Sequence, residues 1–153
     1  RCYIVKLSKK NKNLKYFKPN IGYRINKLKN EHVCGEKYIK ELNKYICCFT
    51  DDACEERPYI VAKHFEILSS GALLLSCNPH TKSHFESLGF KDNQHYISCS
   101  KDNLIDKINY IIDLKNRDKI NIIRKNGYEY VIKNHNYKLR TEFLLDKLLK
   151  KSK

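Results

Sequence analysis

Short continuous apolar runs alternate along this chain with segments whose apolar residues recur every three or four positions. Runs of four or five apolar residues are typical of buried strands, and the three-to-four spacing is typical of amphipathic helices. The pattern predicts strands at residues 2–7, 45–49, 72–76 and 96–99 and helices at residues 37–44, 58–70, 81–88 and 104–114, followed by two or three helices over residues 118–151. Strands that alternate with helices indicate an α/β layered domain.

The most informative stretch is residues 62–76, where a short helix leads directly into an apolar strand. Ile67 and Leu68 are expected to face a core, and Lys63 and Glu66 lie three positions apart on one helical face. We expect Gly71 to adopt the left-handed conformation that ends many helices. A helix followed at once by a buried strand is the return half of a βαβ unit. In such sheets ligands bind where strands end and helices begin, so the stretch predicts an α/β domain in which a ligand site is possible.

Length and composition indicate one folded domain. The chain has 153 residues, 41% of them hydrophobic, with 11 tyrosines and 6 phenylalanines, which argues against disorder. No apolar run approaches the roughly 18 residues of a membrane-spanning helix. Because the chain starts at Arg1 and contains no methionine, we expect it to be part of a longer protein. We expect a cytoplasmic location, with a viral source or attachment to a membrane surface as alternatives.

Charge is distributed unevenly. The formal net charge is +14, with +10 over residues 1–50, −3 over residues 51–100 and +7 over residues 101–153. Basic flanks around an acidic centre can attract a nucleotide-sugar diphosphate, an anionic membrane surface or RNA. The alternative is a solvated surface without a binding role.

Seven cysteines without any Cys-x-x-Cys pair favour free thiols in a reducing compartment. The spacing Cys77-x-x-His80-x-x-x-His84 could hold zinc, with Cys99 as a further ligand. Pro79 and the lack of a clear fourth ligand argue against that site, and we expect no metal.

Residues 62–76 also resemble the donor-binding half of glycosyltransferases with two facing Rossmann-like domains, the GT-B fold. The type that they resemble is called glycosyl transferases group 1, including its spore-maturation-like branch. The resemblance rests on Lys63, Phe65-Glu66, Ser69-Ser70-Gly71 and the strand 72–75, and it continues through residues 85–96, 126–128, 135–137 and Arg140. It covers about residues 38–149 and implies a Rossmann-like three-layer domain with a parallel sheet, ending in C-terminal helices.

The resemblance implies a domain that binds a nucleotide-diphosphate sugar for glycosyl transfer to an unknown acceptor, without a metal or other cofactor. The implied donor-binding residues are Glu66, Lys63, Tyr59, Ile60, Glu56, Asn78 and His80. Glu66 would accept hydrogen bonds from the ribose hydroxyls. Lys63 and the start of its helix would bind the diphosphate, because helix amino ends present unpaired N–H groups.

One position departs from the family pattern. Many relatives carry a second Glu eight residues before the first, in contact with the donor sugar, and here that position is Pro58. Glu55 or Glu56 would have to replace it. The departure leaves a non-catalytic, glycosyltransferase-like domain as an alternative.

The expected organisation is a basic segment over residues 1–36 and a nucleotide-sugar-binding domain over residues 37–153. The basic segment would be partly loop or would link to an N-terminal domain of the same protein, which would supply the acceptor site. The fragment alone would then bind donor with little or no turnover. The alternative function is a basic Rossmann-like module that binds RNA or an acidic partner. Tyr16, Tyr23 and Tyr38 lie among lysines and favour it, whereas the acidic centre argues against it.

Overall fold

The computed structural model describes residues 14, 35–51, 59–77 and 82–150. The chain divides into two units, Arg1–Gly35 and Glu36–Lys153. The described elements are helix α1 (Gly35–Leu42), strand β1 (Cys47–Asp51), helix α2 (Ala62–Ser69), strand β2 (Leu73–Cys77), helix α3 (Lys82–Ser87), strand β3 (Ile97–Ser98), helix α4 (Leu104–Ile112), a 3-10 turn (Leu114–Asn116), helix α5 (Arg117–Asn134) and helix α6 (Tyr137–Lys150). The strand predicted at residues 2–7 lies outside the described residues, and the domain boundary at residues 36–37 stays a prediction.

The three strands form one parallel sheet in the order β1-β2-β3. Strand β2 is central, and its residues 73–76 are all at least 98% buried. Since successive side chains of a strand point to opposite faces, both faces of β2 are covered, as is typical of parallel sheets. The predicted α/β class with a parallel, Rossmann-like sheet and C-terminal helices is confirmed.

Helix α2 connects β1 to β2 and places its apolar side chains in the core. Ile67 and Leu68 are buried, as predicted. Gly71 has φ +80° and turns the chain into β2, so the predicted helix stop is confirmed. The predicted start at residue 58 is wrong, because Val61 is still extended with φ −81° and ψ 152°. A β-branched residue favours that conformation.

The other boundaries follow local hydrogen bonds. Ser100 N–H donates to Asn103 Oδ1 (2.8 Å) and Asn103 N–H donates to Ser100 Oγ (3.3 Å), so these two residues close the turn that precedes α4. Helix α4 ends at Ile112, earlier than predicted, because Asp113 is extended and its carboxylate accepts the N–H of Lys115 at 3.0 Å. The predicted strand at residues 96–99 is reduced to two residues.

Helix α5 carries a buried stripe that packs against α2 and β2. The main core cluster contains residues from the segment between α1 and α5: Leu42, Ile67, Leu68, Ala72, Leu74, Phe85, Phe90, Tyr96 and Val131. Helix α6 lies on the surface, where Phe143 is 59% exposed. Among the helices of the described ranges, none combines the length and apolarity that crossing a membrane requires.

Candidate functional site

The candidate site lies at the carboxyl edge of the sheet, where β1 ends at Asp51 and β2 ends at Cys77. These two residues are paired in the parallel register, so the strands end side by side. Helix α2 runs back toward the start of β2, which places its amino end at the same edge. In open parallel sheets this is where ligands bind.

Glu66 and Lys63 both lie on α2 and are half-buried. An ion pair between them would be the structural alternative to a binding role. Within the described ranges, however, neither the carboxylate nor the ammonium group has an ion-pair partner.

The amino end of α2 also lacks a side-chain cap from its capping residue. Val61 occupies the capping position and its side chain accepts no hydrogen bond from the first turn, in which the His64 N–H donates to the Val61 carbonyl oxygen at 3.1 Å. Unpaired N–H groups at a helix start, with the positive end of the helix dipole, favour an anion. Tyr59 lies just before this start and is 58% exposed, and Ile60 packs against the core cluster.

Tyr38, in the first turn of α1, is electrostatically close to Glu66. Burial raises the pKa of the Tyr38 phenol, and the Glu66 carboxylate and, to a smaller extent, Cys48 raise it further. The phenol is therefore protonated at neutral pH and can donate a hydrogen bond. The sequence suggested Tyr38 only as an aromatic residue among lysines, because nothing local indicates a neighbour 28 positions later.

A buried polar pair, His64 and Ser76, was missed by the sequence reasoning. Both side chains are fully buried. His64 Nε2 lies 3.0 Å from Ser76 Oγ, and His64 Nδ1 lies 3.1 Å from the Val61 carbonyl oxygen. The signal was present, since His64, Ile67 and Leu68 share the three-to-four spacing of the buried face of α2.

The four described cysteines are free thiols. Burial raises the pKa of Cys47, and it raises that of Cys48 to about 11. A hydrogen bond with Cys77 and burial raise the pKa of Cys99. The thiols of Cys47, Cys48 and Cys99 are therefore protonated at neutral pH and are poor nucleophiles, because the thiolate is the reactive form. The zinc alternative stays untested, since His80 lies outside the described residues.

Three of the predicted donor-binding residues, Glu56, Asn78 and His80, lie outside the described residues, as do Pro58 and Glu55. His135 and Arg140 both lie against Phe65 of α2: the His135 ring centroid is 5.7 Å and the Arg140 guanidinium carbon 5.8 Å from the Phe65 ring centroid. His135 Nε2 contacts the Leu88 carbonyl at 3.1 Å, and Arg140 donates to His135 Nδ1 at 2.9 Å. Glu66, Lys63, Tyr59 and Ile60 are thus the predicted residues whose positions are described.

Comparison with known proteins gives one match. A family model described as glycosyl transferase-like matches residues 9–146. Neither the search of curated proteins nor that of solved structures found a match. The assignment to the spore-maturation-like branch stays a prediction. Because the family model spans most of the chain and the parallel sheet agrees with it, the chain belongs to the glycosyl transferase-like family and forms a glycosyltransferase-type domain.

Proposed function

We propose that the carboxyl edge of this sheet binds a nucleotide-diphosphate sugar, and that the domain is the donor-binding half of a glycosyltransferase. The observation that carries the proposal is Glu66, a half-buried carboxylate without an ion-pair partner among the described residues, on the helix that starts at this edge. A carboxylate offers only acceptors, which suits the paired hydroxyl groups of a ribose.

The diphosphate would lie at the amino end of α2. Lys63 adds a point charge to the uncapped N–H groups after Val61, and the two together can stabilise the negative charge that develops on a departing nucleoside diphosphate. Tyr59 and Ile60 would flank the diphosphate. This division of roles needs no metal ion, because the helix end and the lysine supply the positive charge.

The remaining parts of the reaction are assigned to other segments. Glu56, Asn78 and His80 would contact the sugar, given their positions after β1 and β2 in the chain. The acceptor site and a catalytic base would come from an N-terminal domain of the same protein. The isolated 153-residue chain would therefore bind donor and catalyse little transfer.

The test is nucleotide binding to the wild-type chain and to Glu66→Gln. Isothermal titration calorimetry with UDP, GDP, ADP and their sugars identifies the base. A hydrogen bond to a charged group contributes about 1.5–3 kcal/mol. Glu66→Gln should therefore lower the affinity for the preferred nucleotide roughly tenfold or more.

Glu129→Gln is the matched control, because it removes the same charge from an exposed position on α5 that pairs only with Lys125 at 3.8 Å. The dissociation constant of Glu129→Gln for the preferred nucleotide should stay within twofold of the wild-type value. Failure of every nucleotide to bind the wild-type chain, or equal losses in both variants, would refute the proposed site.

A further inference from the structure

We propose that His64 and Ser76 form a positioning pair that holds the amino end of α2 in the geometry that binds the diphosphate. The inference rests on the proposed function and adds two residues to it. Neither side chain would touch the donor; both would act through the backbone of residues 61–63.

Hydrogen-bond chemistry fixes the state of the imidazole. The Val61 carbonyl oxygen can only accept, so His64 Nδ1, at 3.1 Å, carries the proton and donates. A neutral imidazole then has its lone pair on Nε2, which accepts from Ser76 Oγ–H at 3.0 Å. The ring thereby connects the residue that starts α2 to the strand beneath it.

Ser76 supplies a rigid anchor for this connection. It is fully buried in the central strand, one residue before the strand ends. It is paired in register with Thr50 of β1 and Ser98 of β3, so three hydroxyl residues lie in one row across the sheet. Ser98 in turn donates both its N–H and its hydroxyl to the Asp92 carboxylate.

Packing holds the imidazole from the side. The His64 and Phe85 ring centroids are 5.4 Å apart, with the planes inclined by 54°, and both side chains are fully buried. A buried polar group that loses its partner is costly, so the ring has little freedom to adopt another orientation. An apolar side chain at position 64 would fill the space but would leave the start of α2 without a fixed link to β2.

The alternative is that the pair only stabilises the fold. Ser70→Ala separates the two possibilities, because Ser70 is also buried, directly follows the same helix and donates to the Ile67 carbonyl at 2.7 Å. It lies at the far end of α2, near the start of β2. Ser70→Ala should therefore lower stability in a similar way without moving the diphosphate site.

The experiment measures the dissociation constants of UDP, GDP and ADP for the full chain, well below the unfolding temperature of every variant. For the nucleotide that binds the wild type, we expect Ser76→Ala to raise the dissociation constant at least fivefold. Ser70→Ala should change the same constant less than twofold. Ser76→Thr keeps the hydroxyl and should restore most of the affinity. His64→Asn serves as the second variant, because it keeps a donor near Val61 but cannot reach Ser76.

Amide hydrogen exchange without nucleotide gives an independent measurement. In Ser76→Ala the amides of residues 62–65 should exchange faster than in wild type, and in Ser70→Ala they should not. If wild type binds a nucleotide and both Ser76→Ala and His64→Asn bind it equally well, the positioning role is refuted and the donor site stands. If wild type binds no nucleotide, the proposed function is refuted, and the role in binding is refuted with it.

Discussion

Gly127 is a buried residue of α5 that packs closely against neighbouring segments. A Cβ at this position would lie 2.2 Å from the His95 carbonyl oxygen and 2.8 Å from Leu68 Cδ2. Alanine favours a helix over glycine by about 1 kcal/mol, but overpacking against a backbone oxygen costs roughly 1–3 kcal/mol or more. We expect the steric term to dominate, so Gly127→Ala should lower the free energy of unfolding by about 2 kcal/mol in urea denaturation.

Gly71→Ala is the matched comparison, because it adds the same methyl group where nothing lies within 4 Å. Its φ of +80° is the only source of strain, and the left-handed conformation costs a non-glycine residue roughly 1–2 kcal/mol. Leu68→Ala should relieve part of the clash in Gly127→Ala, so the two changes together should cost less than the sum of their separate costs. In Gly71→Ala there is no such clash to relieve, because the added methyl group meets nothing within 4 Å. A Gly127→Ala chain as stable as wild type would contradict the close packing.

At the scale of elements, His135 links the start of α6 to the segment that follows α3. It contacts the Leu88 carbonyl through Nε2 and accepts from Arg140 through Nδ1, which requires the neutral ring. Burial and the positive charge of Arg140 lower the His135 pKa, although the Leu88 carbonyl opposes the shift. A protonated ring would present a second donor to the Arg140 guanidinium, so acid should weaken this link.

The direction of the pH effect follows from the lowered pKa. The unfolded chain takes up a proton near the ordinary histidine value of 6.5, and the folded chain takes it up only at lower pH. The contribution of His135 to the free energy of unfolding should therefore be fully present above pH 6.5 and should decrease as the pH falls below 6.5. His95 acts in the same direction, because burial and Lys91 lower its pKa.

Thermal unfolding at pH 7.5 and pH 5.0 measures this effect. The melting temperature should be lower at pH 5.0, and the difference should shrink in His135→Gln, which cannot be charged. His84→Gln is the control, since His84 is exposed on α3 and should leave the pH difference unchanged. Equal pH differences in wild type and His135→Gln would show that His135 does not contribute.

Local patterns predicted the elements better than they predicted the site. The Gly71 stop and the buried face of α2 depend on residues within a few positions of each other, so local sequence patterns are sufficient to predict them. The link between His64 and Ser76 joins residues 12 positions apart, and the electrostatic interaction between Tyr38 and Glu66 joins residues 28 positions apart. Such contacts depend on how helices pack on the sheet, which hydrophobic periodicity does not determine. The family resemblance supplied Glu66 and Lys63, but it gave no indication of the residues that hold their helix.

At the scale of the whole molecule, the open question is what the net charge of +14 attracts. Exposed basic residues are spread along α5 and α6, among them Arg117, Lys119, Lys133 and Lys138. Such a surface suits RNA, whereas the candidate donor site presents one lysine and one helix end. The two functions differ in how many phosphate groups the protein neutralises, and salt dependence measures that number.

A donor site that contacts one diphosphate should lose about tenfold or less in affinity between 50 and 200 mM NaCl, because each phosphate contact loses only about three- to fourfold. An RNA-binding surface with six or more contacts should lose roughly a thousandfold over the same range. The measurement is fluorescence anisotropy of a labelled nucleoside diphosphate and of a labelled single-stranded RNA at both salt concentrations. We expect the labelled nucleotide to stay bound at 200 mM NaCl and to be displaced by unlabelled UDP, GDP or ADP. The labelled RNA should dissociate at this salt concentration. The opposite order, with RNA retained at 200 mM NaCl and no nucleotide bound at either concentration, would assign the positive charge to nucleic-acid binding and leave Glu66 without a ligand.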